Sequence, residues 1–351
     1  MSAAATPMAS LFESEAAEIP ALAARQFERL RRELPDVISR LDRLAPALVA
    51  TIARGSSDNA AAFAAYLVGL RLALPTASVP PSLASVYGRT LRLERAVVLA
   101  ISQSGASPDL CAAVAHARAG GALTLGLVNE AGSALGRAVD MVIKMGAGPE
   151  LAIAATKTFI LSLTAVLHLI AEWTRDAALM AALKDLPASL ARCDGIDWNA
   201  AINLLAGKDA AFVVGRGPML PVARELALKL KEVCGIHAEA VSAAELLHGP
   251  ISIASPSVAA IVLAGDERMK ASIDEAMSRL RAASASVLLF TPHAEDSRQE
   301  VEVIAVPAAS DSLLQPVVTL HAAYPLVARV ARARGRDPDR PPHLVKITRT
   351  L

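Results

Sequence analysis

One rhythm occurs twice in this chain, and it limits the fold more than any other feature. ALVATIA (47–53) is a short apolar run ending at a glycine turn, and NAAAFAAYLVGLRLAL (59–74) carries a helical pattern. RAVVLAI (95–101), PDLCAAVAHARAG (108–120) and ALTLGLVN (122–129) continue it as strand, helix and strand. AAFVVGRG (210–217), PVARELALKLKEV (221–233), SVAAIVLAG (257–265) and ASVLLFTP (285–292) repeat the order. Short apolar runs bounded by turn residues and separated by helical segments predict a parallel sheet covered by helices. Gly55 and Gly105 lie 50 positions apart, as do Gly215 and Gly265, and the two pairs are offset by 160, the size of one domain. The expected fold class is therefore α/β, a tandem pair of doubly wound, mostly parallel sheets flanked by helices. The expected boundaries are a helical segment over 1–45 broken at Pro35, a first domain over 46–175, a linker over 176–200, a second domain over 201–335 and a tail over 336–351.

Composition decides what fills these layers and what they do not bind. Hydrophobic residues make up 54% and aromatics 3%, so the core is built of Ala, Leu and Val. The formal net charge of +1 leaves no polybasic surface for nucleic acid or anionic lipid. Cys111, Cys193 and Cys234 form no CxxC pair and read as thiols of a reducing compartment, not as a disulfide frame or a zinc site. TFILSLTAVLHLIAEW (158–173) contains His168 and Glu172 and is short for a bilayer, so a core helix is expected. The first residues lack a basic start and meet Glu13 early, which argues against a secretory leader and for a cytoplasmic protein.

The two copies differ where strands meet helices. In open α/β sheets ligands sit at the C-terminal ends of the strands. The first copy has Ser102, Gln103, Ser104, Gly105 and Ser107 there, whereas the second has Ala264, Gly265, Asp266, Glu267 and Arg268. A serine- and glycine-rich turn opening a helix suits a phosphate, through hydroxyls, close backbone approach and free helix N–H groups. The plainer reading is a helix cap, with Ser107 capping and Pro108 at the first helical position. Local chemistry leaves the two level; Gly55, Ser56 and Ser57, a second such turn in the same half, favour phosphate. No GxxxxGK[ST] run is present, which argues against a nucleoside triphosphate, and Leu220 stands where GRGPML would need the third glycine of a dinucleotide fingerprint.

Three further stretches carry ionisable groups. In ELALKLKE, Glu225, Lys229 and Glu232 share one helix face, as a solvated ion pair or as a carboxylate held at a cleft for proton transfer. In AAELLHGPISI, His248 ends a helix before Gly249–Pro250, where a histidine favours the helix dipole or serves as a mobile acid or base. The tail DPDRPPHLVKITRTL places Lys346 among apolar residues able to pack over a site. GPELAIAATKTF, with Ile153 and Lys157, completes the set; its lysine reads as snorkelling from a helix start.

RGSSDNA, SQSGASPD, GPELAIAATKTF, ELALKLKEVCGIHAEAVSAAELLHGPISI and HLVKITRT together resemble the tandem SIS (sugar isomerase) domain family, in order and over nearly the whole chain beyond residue 45. Within it the chain looks like the isomerase half of glucosamine-6-phosphate synthase and the stand-alone SIS-type glucosamine-6-phosphate deaminases. The resemblance implies that Ser102, Gln103, Ser104, Ser107 and Ser57 bind the sugar phosphate, with Gly55, Ser56 and Ile153 in support. It implies that Glu232 moves a proton between C1 and C2, with Glu225 and Lys229 beside it. It also implies that His248 opens the sugar ring from a neighbouring subunit, hence a homodimer, and that Lys346 matches the tail lysine that forms a Schiff base in the synthase. Two positions depart from the pattern: Ala155 replaces a serine, and Arg54 a cysteine. About 45 residues precede the first strand and hold no cysteine for a glutaminase nucleophile, which favours amine release over synthesis. The expectation is an amino-sugar-phosphate deaminase, converting glucosamine 6-phosphate to fructose 6-phosphate and ammonia, with no metal or redox cofactor implied. The alternatives are action on galactosamine 6-phosphate or a fructosamine phosphate, a synthase-like aminotransferase without its glutaminase domain, and a non-catalytic phosphosugar sensor.

Overall fold

A computed structural model describes residues 9–293 and 301–346. The first sheet comprises β1 (Leu48–Ile52), β2 (Thr76–Ser78), β3 (Ala96–Ser102), β4 (Leu123–Val128) and β5 (Met141–Lys144). The second comprises β6 (Ala210–Gly215), β7 (His237–Ser242), β8 (Val258–Leu263), β9 (Ser286–Thr291) and β10 (Glu302–Ala305). The strand orders are β2-β1-β3-β4-β5 and, read in the matching sense, β7-β6-β8-β9-β10. Every pairing is parallel. The duplication read from the sequence is thus repeated in topology, and in each sheet the order of strand addition reverses between the first and third strands.

Side-chain alternation shows how the sheets are joined. In β3, Val97, Leu99 and Ile101 face a central core, while Ala96, Val98 and Ala100 face an outer one. In β8, Ala259, Ile261 and Leu263 join that same central core, while Val258, Ala260 and Val262 face a second outer one. One apolar layer therefore lies between the sheets. Helix Lys157–Thr174 runs through it, buried from Lys157 to Ala171, and helix Gln315–Ala333 joins it. Among the described residues no helix is long and apolar enough to cross a membrane.

Several sequence expectations need correction. Helix Ile19–Leu44 runs through Pro35 without a break. Proline removes one helical donor and crowds the preceding turn, but Leu30, Leu34, Val37, Ile38 and Leu41 all bury into the central core and hold the helix. The 176–200 segment, expected as a linker, is mostly helical. Asp176 caps helix Ala177–Ala191 by accepting from the N–H groups of Ala178 and Leu179, and Trp198 is buried. Strands β2, β5, β7 and β10 escaped the sequence reading because they are short or only partly buried. Without a continuous apolar run they carry no period to detect.

The buried core also holds two histidines. His168 stacks on Phe27 with ring centroids 5.1 Å apart, and burial, then Arg31 and Arg29, pull its pKa down to about 4. Burial pulls His321 down to about 4 as well. The unfolded chain takes up these protons near pH 6.5, the folded chain only near 4. Each histidine thus contributes roughly 3 kcal/mol that is present above pH 6.5 and lost as the pH falls toward 4. The urea midpoint is expected to drop steadily over that window. A flat midpoint between pH 7 and 4.5 would contradict this.

Candidate active site

The end of the first sheet at which its strands point is hollow. A cavity of about 530 Å³ opens there, beside the β1/β3 reversal. Its walls come from the turn after β1 (Gly55, Ser56, Ser57), the turn after β3 (Ser102, Gln103, Ser104, Ser107), the 150–162 segment, Glu232, and the tail through Leu344, Val345 and Lys346.

The two turns are shaped to present donors. Gly105 has φ +58°, and a Cβ there would lie 2.0 Å from Ser133 Oγ, so only glycine fits. Ser102 Oγ accepts from Gly105 N at 3.0 Å and Ser104 Oγ from Ala106 N at 3.3 Å, which closes the loop. Ser107 is the N-cap residue of helix Pro108–Ala119, yet its side chain makes no capping bond. The residue lines the cavity instead, so the plainer reading of it as a helix cap does not hold. Helix Ser56–Leu72 likewise starts at Gly55 without a side-chain cap. Two helix N-termini thus open into one cavity, an arrangement that favours an anion.

The ionisable groups come from the second half. Helix Met219–Lys229 passes into a π-helical turn, Leu230–Cys234, that carries Glu232; such turns are frequent at functional sites. Lys229 Nζ lies 2.6 Å from Glu232 Oε2 and 3.3 Å from Glu225 Oε1. Lys229 is 1% exposed and Glu225 0%, so this is no solvated ion pair. Burial alone would depress the lysine, but the two carboxylates outweigh it and raise its pKa. Lys229 is therefore a fixed positive charge. Asn59 Nδ2 donates to Glu225 Oε2 at 2.8 Å, and Lys229 Nζ lies 3.4 Å from Ser56 Oγ. The first serine turn of one half and the carboxylate cluster of the other are thereby tied together.

Glu150 was not singled out from the sequence. Its carboxylate accepts from Thr156 N at 3.0 Å, Thr158 N at 3.1 Å and Thr158 Oγ1 at 2.7 Å, and lies 3.0 Å from Lys346 Nζ. Lys346 Nζ also donates to the Ala152 carbonyl at 2.5 Å, so the tail packs against the cavity wall. A lone acid among small residues just before a helix start was the available signal. Lys157 does not snorkel; it is buried and pairs with Glu18 at 2.9 Å. Burial, with Glu150 adding to it, holds Glu15 above the usual carboxylate range, although Leu151 N donates to it.

Of the residues named from sequence, Gly55, Ser56, Ser57, Ser102, Gln103, Ser104, Ser107, Ile153, Glu232 and Lys346 line this cavity. Glu225 and Lys229 stand directly behind Glu232. His248 does not join them: it is exposed, in the turn after helix Ala243–Leu246, and does not line the cavity. The corresponding turn of the second half is closed. Arg268 pairs with Asp266 at 2.6 Å, and a Cβ on Gly265 would meet Gln315 Cγ at 2.6 Å. The space left there is about 20 Å³.

Comparison with known proteins places these features in a family context. A family model described as SIS domain matches residues 48–172 and 204–329. A glutamine–fructose-6-phosphate aminotransferase (isomerizing) of Aeropyrum pernix is 35% identical over 266 residues, 71% of this chain and 43% of that protein. One of Symbiobacterium thermophilum is 33% identical over 313 residues, 85% of this chain and 51% of that protein. The chain thus spans about half the length of these curated relatives. A crystal structure from Silicibacter pomeroyi DSS-3, described as that of a candidate phosphosugar isomerase, has a TM-score of 0.89 and 38% identity over 94% of this chain and 100% of that one. The C-terminal domain of the glucosamine-fructose-6-phosphate aminotransferase of Francisella tularensis has a TM-score of 0.86 over 97% of this chain and 100% of that domain, and at 22% identity it shows the shared fold alone.

Proposed function

The chain belongs to the SIS domain family, with two such domains in tandem, and from that membership we propose that it isomerises an amino-sugar phosphate with release of the amine, glucosamine 6-phosphate being the leading substrate. The observation that carries the reading is the single cavity onto which the serine turns of one half and Glu232 of the other both open. The names of the curated relatives point to the same chemistry, an amine and a carbonyl exchanged on fructose 6-phosphate.

On this reading the serine turns and the two helix N-termini hold the phosphate at one end of the open-chain sugar. Glu232 takes the proton from C2 as O1 gains one from solvent, giving an enolamine, and returns it to C1; the iminium so formed gives up an N–H proton to solvent and becomes a ketimine. Water adds at C2 and ammonia leaves, so the ketose phosphate is the product. Lys229, held positive between two carboxylates, fixes where the Glu232 carboxylate stands. Lys346 Nζ donates to Glu150 and Ala152, so attack by this lysine on a sugar carbonyl requires it to leave both. His248 is off this chain's cavity wall, so on this reading it serves the cavity of a second copy, and ring opening by it implies a homodimer. Light scattering should then give twice the chain mass for the active species; full activity at the mass of one chain would remove His248 from that role.

The direct test incubates the purified protein with glucosamine 6-phosphate and measures ammonia and fructose 6-phosphate. Both are expected in equal amounts. Galactosamine 6-phosphate and fructosamine 6-phosphate, run in parallel, define which sugar is preferred. Folded protein that releases ammonia from none of the three overturns the reading. Binding without turnover would favour a phosphosugar sensor, and amino-sugar formation from fructose 6-phosphate plus ammonium without the reverse reaction would favour a synthase-like role.

A further inference from the structure

We infer that Arg54 is a phosphate-reading residue, which makes the site select a dianionic phosphate ester over neutral sugars and monoanionic esters. This rests on the reading of the serine turns as the phosphate site.

Arg54 immediately precedes Gly55 and lines the cavity together with Ser57, Ser104 and Ser107. Its Nε and Nη2 both donate to Asp109 Oδ2, at 3.1 and 2.9 Å. Asp109 lies in the first turn of helix Pro108–Ala119, two residues beyond Ser107, and its side chain is 0% exposed. The arginine side chain is 51% exposed. A buried carboxylate therefore anchors the guanidinium where the two helix N-termini converge, and among the described residues only one edge of it is used. A guanidinium has five N–H donors in a rigid fork, so the other edge remains for a ligand. The serine turns otherwise offer only neutral donors. The other cation on the cavity wall, Lys346, is occupied by Glu150 and Ala152.

The second half supplies an internal comparison. By strand register Leu48 and Ala96 of the first sheet correspond to Ala210 and Val258 of the second, an offset of 162 rather than the 160 of the glycine pairs, so Arg216 is the counterpart of Arg54. Arg216 Nη1 donates to Ser242 Oγ at 3.1 Å, beside a turn that Asp266, Arg268 and Gln315 close. Both copies keep an arginine at this position, but only the first places it on a cavity large enough for a sugar phosphate.

The test uses Arg54→Ala, Arg54→Gln and Arg54→Lys in the full chain. Glutamine keeps a hydrogen-bond donor for Asp109 but removes the charge; lysine keeps the charge but loses the fork. The readouts are calorimetric affinity for inorganic phosphate, KM and kcat for glucosamine 6-phosphate, and the KM ratio between the 6-phosphate and the 6-sulfate ester. The alanine and glutamine variants are expected to weaken phosphate binding and raise KM by about 10- to 100-fold, as for a lost charge-assisted hydrogen bond, with kcat changed less than about threefold. The phosphate-to-sulfate preference should narrow, and lysine should recover part of it. If Arg54→Gln folds with unchanged phosphate affinity, KM and ester preference, the inference is overturned while the reaction stands. If the wild type binds phosphate but releases no ammonia, and Arg54→Gln loses that binding, the reaction reading falls and the role of Arg54 stands. Equal loss of kcat and affinity with a lowered melting temperature in all three variants would make Arg54 only a partner for Asp109 and overturn the inference.

Discussion

Glu232→Gln is expected to lower kcat for amino-sugar-phosphate turnover by about 10²- to 10⁴-fold, the range by which a positioned general base accelerates proton transfer. The substitution keeps the shape and leaves an amide oxygen toward Lys229, whose Nζ still has Glu225 within 3.3 Å. The fold and the phosphate grip should therefore survive, and KM should move by no more than a few-fold. Single-turnover assays with the folded variant would isolate the chemical step. A wild-type rate would remove Glu232 from the reaction, and loss of binding with unchanged kcat would make it a binding residue instead.

Lys229→Met is expected to cost about 3–5 kcal/mol of folding stability, the usual consequence of removing one partner from a buried ion pair. Glu225, at 0% exposure, would keep Asn59 as its hydrogen-bond donor but lose its neighbouring positive charge. Glu232 would lose its 2.6 Å partner. Denaturant unfolding should show the loss as a lower midpoint with unchanged slope. The double variant Lys229→Met, Glu225→Leu should regain part of it, because apolar replacement of both charges removes the stranded carboxylate. A single variant as stable as the wild type would show that the lysine carries no structural weight.

The sequence made the centre of each sheet legible and its edges not. β1, β3, β4, β6, β8 and β9 are nearly continuous apolar runs because parallel strands are buried on both faces. The edge strand His237–Ser242 mixes buried and exposed residues and shows no such run. Pro35 misled because local propensity is a weak prior against a helix buried along its apolar face. The serine turns and the Glu225–Lys229–Glu232 face were readable because contiguous residues carry them. Local pattern could not say that Asn59 would reach Glu225 across 166 positions, or that Glu150 would gather Thr156, Thr158 and Lys346. The first contact depends on how the two halves pack, the Lys346 contact on where the tail folds back, and the two threonine contacts on an irregular turn that carries no period.

The closed turn of the second sheet has a consequence for how such a chain changes over time. On the proposed function, grip on the anionic end of the ligand resides in the loops of one copy and the proton carrier in a helix of the other. Substitutions in Ser104, Ser107 or Arg54 would then retune how tightly the phosphate is held without disturbing Glu232 and its lysine. On that reading the two halves are separate modules, one adjustable without the other.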